Sequence, residues 1–354
     1  MILRKKTRKI KLGNISIGAD APISIQSMIN TKSTDVEACI DQLWQLETAG
    51  CQIVRMAVPN KESIPAFSAI KKRISIPLVA DIHFDHTLAL GALDAGADKI
   101  RINPGNIGSE EKVKAVLDAC SEKKVPIRIG VNAGSLDKEL LNKYGHPTPQ
   151  ALLESAIKHI EICERHGFDN LMVSIKASNV LTMIEANRLF SEKYDYPLHL
   201  GVTEAGTEKS GSLRSAIGIG TLLAEGIGDT IRVSLSADPV KEIAAAKSIL
   251  QALGMRKDVV RVISCPTCGR TVFDLETVAR EVEERLEGID KDVTVAVMGC
   301  VVNGPGEARE ADFGIAGAGE GRVMLFEKGN KKGLYPIEGI VDKLVKMVKN
   351  YDSM

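Results

Sequence analysis

One pattern repeats through the first 254 residues and limits what the chain can fold into. A short apolar run rich in Val and Ile is followed by a longer segment of helical period, about eight times over. The runs lie at 23–28, 52–58, 77–83, 99–103, 126–132, 171–176, 198–204 and 230–235. Helical stretches between them include 34–49, 110–123, 148–166, 208–225 and 239–253. Consecutive strands joined by helices pair in parallel, with helices covering the sheet. Eight such units in this length fit a closed (β/α)8 barrel. An open doubly wound sheet is the rival, but no Gly-x-Gly-x-x-Gly follows the first run. Gly50, Gly96, Gly167 and Gly254 mark helix ends; Ser33, Ser109 and Asp238 are cap candidates, and Pro149 and Pro239 suit first turns.

Past residue 254 the pattern changes. A strand at 259–264, a helix at 274–286, a strand at 293–298, short β-like segments at 312–316 and 323–326 and a helix at 337–350 read as a small α+β domain. The expected division is therefore a barrel at 1–254 and a second domain at 255–354.

Active sites of such barrels lie at the C-terminal ends of the strands. Basic residues recur near five of the eight expected ends: Arg55, Arg101, Arg128, Lys176 and Arg232. Asn103, Asn132, Ser174 and Ser234 are neutral donors on the same stretches; Asp81, His83, Thr203 and Glu204 occupy two further ends. Converging cations repel unless an anion joins them. Arg offers a planar fork for phosphate and Lys a point charge, so the cluster suits a small diphosphate. The whole chain is balanced, with 46 Lys+Arg and 46 Asp+Glu. That argues against a general nucleic-acid or membrane-surface binder, which needs a basic excess. The N-terminal run at 5–9 is basic with no apolar segment after it, and no stretch reaches the length of a membrane span; a cytoplasmic protein is expected.

Three of the seven cysteines are grouped: Cys265-Pro-Thr-Cys268-Gly-Arg, then Gly299-Cys300-Val-Val-Asn-Gly-Pro-Gly-Glu307, where the second motif reads as a Gly/Pro-rich turn. A C-x-x-C pair brings two thiolates to one metal centre, and Cys300 supplies a third. Three thiolates are one short of closing a site, which suits a cluster with one exchangeable iron position. A structural zinc domain, or an electron carrier fused to a phosphate-binding barrel, is the alternative. Zinc ribbons normally carry a second C-x-x-C, and only one Cys is available here. Cys39, Cys51, Cys120 and Cys163 lack metal spacing and read as buried thiols.

These two cysteine motifs, with Arg101-Ile-Asn-Pro-Gly-Asn and Arg128-Ile-Gly-Val-Asn-Ala-Gly-Ser, resemble the 4-hydroxy-3-methylbut-2-enyl diphosphate synthases from about Arg8 to the last helix. The resemblance implies a TIM barrel followed by a domain similar to the cluster domain of sulfite and nitrite reductases. It implies one [4Fe-4S] cluster held by Cys265, Cys268 and Cys300, with Glu307 as a displaceable fourth ligand. The implied reaction is the reductive ring opening of 2-C-methyl-erythritol 2,4-cyclodiphosphate, with two electrons from ferredoxin or flavodoxin. Arg55, Arg101, Asn103, Arg128, Asn132, Ser174, Lys176, Thr203, Arg232 and Ser234 would bind the substrate. Glu204 would deliver a proton to the leaving oxygen, with Asp81 and His83 orienting or relaying. A homodimer is also implied.

Overall fold

A computed structural model describes residues 2–302 and 304–351. The chain forms two compact units, Met1–Leu253 and Gly254–Met354. The first begins with an antiparallel hairpin, β1 (Ile10–Leu12) and β2 (Ile15–Ile17), turned at Gly13 with φ 54°. Glycine reaches that left-handed conformation without strain, as a two-residue hairpin loop requires. Ile10, Leu12 and Ile17 pack on Ile53, Val79 and Met172 and form an apolar floor.

Eight parallel strands follow: β3 (Ser24–Met28), β4 (Ile53–Ala57), β5 (Leu78–Asp81), β6 (Lys99–Ile102), β7 (Ile127–Asn132), β8 (Leu171–Lys176), β9 (His199–Leu200) and β10 (Thr230–Ile231). Their order is β8-β7-β6-β5-β4-β3-β10-β9, and a parallel bridge between Val173 and Leu198 closes the ring. The strands are nearly all buried because helices cover them outside and side chains fill them inside.

Two expectations are corrected here. The last two strands are two residues each, so Thr203, Glu204 and Ser234 lie in the loops beyond them. Gly201 packs closely against groups from other strands, since a Cβ there would stand 2.6 Å from the Arg232 carbonyl and 2.8 Å from Lys176 Nζ, and the chain leaves the strand line at this point. The first helix, Val36–Thr48, is capped by Asp35, which accepts from Ala38 N at 3.2 Å, and not by Ser33. Ser109 stands at its helix start without a side-chain bond to a backbone N–H, whereas Asp238 accepts from Val240 N at 2.9 Å.

The second unit is a five-stranded sheet in sequence order: β11 (Val260–Ser264), β12 (Val293–Met298), β13 (Phe313–Gly319), β14 (Arg322–Glu327) and β15 (Asn330–Pro336). The first three strands are parallel and the last two antiparallel. Helices Leu275–Leu286 and Ile340–Lys349 bury Val282, Leu286, Leu344 and Val348 against Val293, Val295 and Ile315. The segment expected as a turn around Glu307 is instead a short helix, Gly304–Glu310. Glu307 and Arg309 are good helix formers.

Candidate functional site: a cationic barrel mouth and a thiol cluster

Strand alternation puts Lys99, Arg101 and Asn103 on one face of the β6 line, and Arg128, Gly130 and Asn132 on one face of β7. Register levels Arg101 with Arg128, Gly130 with Ser174, and Asn132 with Lys176. Asp81, at the end of β5, is the hub of one half of the mouth. Its carboxylate lies 3.7 Å from Arg55 Nε, 3.4 Å from Arg101 Nη1 and 3.6 Å from His83 Nε2. Arg101 also donates to the Gly130 carbonyl at 3.0 Å. A Cβ on Gly130 would stand 2.4 Å from Arg101 Nε, so only glycine leaves the guanidinium room. Asn103 Oδ1 accepts from Gly130 N at 2.9 Å and ties the two strand ends together.

Arg232 holds the other half. Its Nε and Nη2 reach the two oxygens of Glu242 at 3.3 Å each. Glu242 is buried and also accepts from Ser27 Oγ at 2.9 Å and Leu235 N at 3.1 Å. Between the halves lies Met28, whose sulfur accepts from Arg55 Nε at 3.1 Å and Nη2 at 2.9 Å, with Arg232 Nη1 at 3.7 Å. A thioether is a weak acceptor for two guanidinium groups.

Arg128 and Lys176 have no carboxylate beside them among the described residues. Arg128, 1% exposed, donates to Gln26 Oε1 at 3.0 Å, and its Nε is unpartnered. Burial, then the fields of neighbouring arginines, push Arg128 and Lys176 well below their ordinary values. Burial also takes Arg55 down to about 10 despite Asp81. Burial opposes ionisation of Asp81, but Arg55, His83 and Arg101 outweigh it and hold the carboxyl below its usual range. Cations thus exceed the carboxylates Asp81 and Glu242 inside a closed barrel, which is the electrostatic signature of an anion site.

Arg55, Asp81, His83, Arg101, Asn103, Arg128, Lys176 and Arg232 are brought together here, with Ser174 Oγ bonded to the Ile129 carbonyl at 3.3 Å. Asn132 ends β7, and Thr203, Glu204 and Ser234 follow β9 and β10 at the same end; none of the four forms a side-chain hydrogen bond among the described residues. Glu204 is exposed with φ 52°, a left-handed backbone that non-glycine residues rarely adopt. Sequence reading missed Glu242, Met28 and Lys99. Glu242 carried a signal: it is a charge on the apolar face that Ile243, Ala246 and Ile249 define.

In the second unit, parallel pairing of β11 and β12 sets Ser264 beside Val297, so Cys265 and Cys300 follow adjacent strand ends. Cys265 Sγ accepts from Gly299 N at 3.2 Å. The C-x-x-C loop folds back through Cys268 N to Thr271 Oγ1 at 3.2 Å and Val272 N to the Gly299 carbonyl at 3.1 Å. Gly317 has to be glycine for this packing, since its Cβ would lie 2.4 Å from the Gly299 carbonyl. Cys268 is exposed, Cys265 and Cys300 are half-buried, and all three are free thiols. A backbone hydrogen bond at Arg270, aided by Thr271 and the Arg270 charge, lowers the Cys268 thiol and favours the thiolate that binds metal. Glu307 is exposed on its short helix. Among the described residues no three His, Cys, Asp or Glu side chains are gathered as metal ligands. The donor set nonetheless fits a soft metal centre: three unbridged thiols on converging loops, one of them acidified. Cys39, Cys51, Cys120 and Cys163 are all buried, and burial pushes Cys51, Cys120 and Cys163 up to about 12.

A (β/α)8 barrel with a buried cationic mouth, followed by an α+β unit bearing three free thiols, defines a class of two-unit α/β proteins. Residues 7–247 match the GcpE TIM-barrel domain, and residues 261–350 the GcpE protein C-terminal domain. The chain belongs to the GcpE family. It is 59% identical over 346 residues to a Clostridium perfringens protein named 4-hydroxy-3-methylbut-2-en-1-yl diphosphate synthase (flavodoxin), covering 98% of this chain and 99% of that one. It is 56% identical to a protein of the same name from Caldanaerobacter subterraneus, covering 98% of each. Among solved structures, 3-dehydroquinate dehydratase from Geobacillus kaustophilus is similar in fold, with TM-score 0.51 and 15% identity over 71% of this chain and 99% of that one. No helix among the described residues is long and apolar enough to cross a membrane.

Proposed function

We infer that this chain is an oxidoreductase with the activity its relatives are named for. It converts 2-C-methyl-erythritol 2,4-cyclodiphosphate to 4-hydroxy-3-methylbut-2-enyl diphosphate with electrons from flavodoxin. The cation excess in the barrel mouth is the observation that carries the reading, because it calls for a compact, doubly charged ligand. Cys265, Cys268 and Cys300 would hold a [4Fe-4S] cluster, with Glu307 as its exchangeable ligand. When bound, the cluster supplies single electrons and an iron position open to exchange.

The remaining work falls to the chain's own side chains. Arg128 and Lys176, free of carboxylates, take the ligand's charge. Arg55 and Arg101, steered by Asp81, and Arg232, steered by Glu242, present fixed donor edges. Asn132, Thr203 and Ser234 add neutral donors around them, and Ser174, whose hydroxyl donates to the Ile129 carbonyl, lines the same mouth. Overall, two electrons and one proton enter, the ring C–O bond to phosphate and the C3–O bond break, and water leaves. Glu204, on its strained rim loop, gives the proton to the departing C3 oxygen, with His83 beside Asp81 as relay. The enzyme works as a homodimer, which light scattering on the purified protein would test.

Two measurements test the reading. Anaerobically purified protein should contain about four irons per chain, with an EPR signal that changes when the cyclic diphosphate is added to the reduced enzyme. Zinc without iron, or a signal indifferent to substrate, would return the second unit to a structural or carrier role. Glu204→Gln should keep the cluster absorbance while turnover collapses; turnover near wild type would remove Glu204 from the mechanism.

A further inference from the structure

One cation in the barrel is not used by the mechanism above. Lys99 begins β6, two residues below Arg101 on the same inward face, and is fully buried. Its Nζ has one polar neighbour among the described residues, the Met172 sulfur at 3.7 Å, and Met172 belongs to the apolar floor. The nearest carboxylate is Asp98, and it is engaged elsewhere. Asp98 Oδ2 accepts from Lys71 Nζ at 2.6 Å and from Leu78 N at 2.7 Å. Besides Asp98, whose charge favours protonation but is outweighed, the charged or titratable groups around Lys99 are Arg128 from β7, Arg55 from β4 and His199 from β9, and none of these three is negative.

The surrounding layer also lacks acceptors. Gln26 Nε2, Arg128 Nε and His199 Nε2 are buried and unpartnered, while Gln26 Oε1 is taken by Arg128 and His199 Nδ1 by Thr230 Oγ1 at 2.7 Å. Negative charge for this layer has to come from a ligand above it. A buried amine without a counter-ion discards its proton, and an approaching anion reverses that balance.

We propose that Lys99 is a further positioning residue of the anion site: a buried amine that takes a proton from solvent when the diphosphate enters, and so places charge beneath the ligand only while it is bound. Burial and the Arg128 and Arg55 charges, which push Lys99 well below its ordinary value, agree with a neutral amine in the ligand-free barrel. The inference rests on the cyclic-diphosphate reading. That ligand suits the test, because both of its phosphates are fully ionised near neutral pH and contribute no proton of their own.

The experiment is titration calorimetry of the oxidised, cluster-loaded enzyme with the cyclic diphosphate, without reductant, in two buffers of different ionisation enthalpy. The wild type should take up protons on binding, and Lys99→Met should take up fewer, by up to about one. Wild-type affinity should weaken more steeply than that of K99M as pH rises. Lys99→Arg, permanently charged, should bind as well as wild type while losing the same share of uptake. A structural role for Lys99 would alter neither proton count nor pH slope. Equal uptake in wild type and both variants overturns the proposal and assigns the proton to Lys176 or His199. Zero uptake by the wild type overturns it even if K99M fails to fold. If the wild type does not bind the ligand at all, the mouth reading itself falls.

Discussion

The barrel unit hides its charged groups, and the C-terminal unit exposes its reactive ones. Arg128 and Lys99 are enclosed by strands on all sides, whereas Cys268 is open to solvent at the end of β11, the edge strand of an open sheet. A closed barrel shields inward side chains from bulk water, so each cation there depends on a neighbour or a ligand for compensation. An open sheet ends in loops, where thiols stay accessible without a desolvation cost. The barrel thus gathers cations against the cost of burial, while the second unit keeps its thiols accessible.

The sharpest test of this contrast is Cys265→Ser. Iron per chain should fall to baseline and turnover should vanish, while calorimetry should still detect the cyclic diphosphate in the barrel. Loss of both together would mean that the two sites do not divide the work as described.

Arg128→Met should do the reverse. Ligand binding should weaken by about 3 kcal/mol, about a hundredfold, with iron content unchanged. Because it removes a buried charge that has no counter-ion, the ligand-free variant should melt at a higher temperature than wild type. A lower melting temperature would show that Arg128 is compensated in the empty barrel after all.

Glu242→Gln probes the paired half of the mouth. It leaves Arg232 without its carboxylate and should lower kcat/KM by about 2 kcal/mol, about thirtyfold. Cluster absorbance should be unaffected. An unchanged kcat/KM would show that Arg232 needs no steering.

The Asp81 carboxyl is held below its ordinary 3.8, so the stability it contributes is present above that value and is lost as pH falls further. Thermal melts should show no loss from this group between neutral pH and about 4, then a decline below it. Asp81→Asn should remove that part of the decline.

The smallest effect belongs to the buried thiols. Cys163→Ala should leave iron content and turnover at wild-type values and cost about 1 kcal/mol of stability by deleting a buried sulfur. Iron loss in this variant would break the distinction between packing thiols and metal-binding thiols.

Most of this layout was legible in the chain. The strand–helix alternation carried the barrel, because period 2 and period 3.6 patterns are local and survive without tertiary information. It located β8 at Leu171–Lys176 and β12 at Val293–Met298 with no error at either end. The cations Arg55, Arg101, Arg128, Lys176 and Arg232 were visible because strand ends can be counted, and the thiol motif because its spacing is short. The length of β9 and β10 was not legible: Gly201 sits against Lys176 and Arg232, residues far away in sequence. Nor was the division of the cations into those paired with Asp81 or Glu242 and those left bare. That division depends on which side chains meet across the lumen, and a lumen exists only once eight strands have closed. The chain's own pattern placed Arg55, Arg101, Arg128, Lys176 and Arg232 at strand ends; closure of the barrel set which of these charges meet a carboxylate, because compensation depends on distances between strands and not on positions along one.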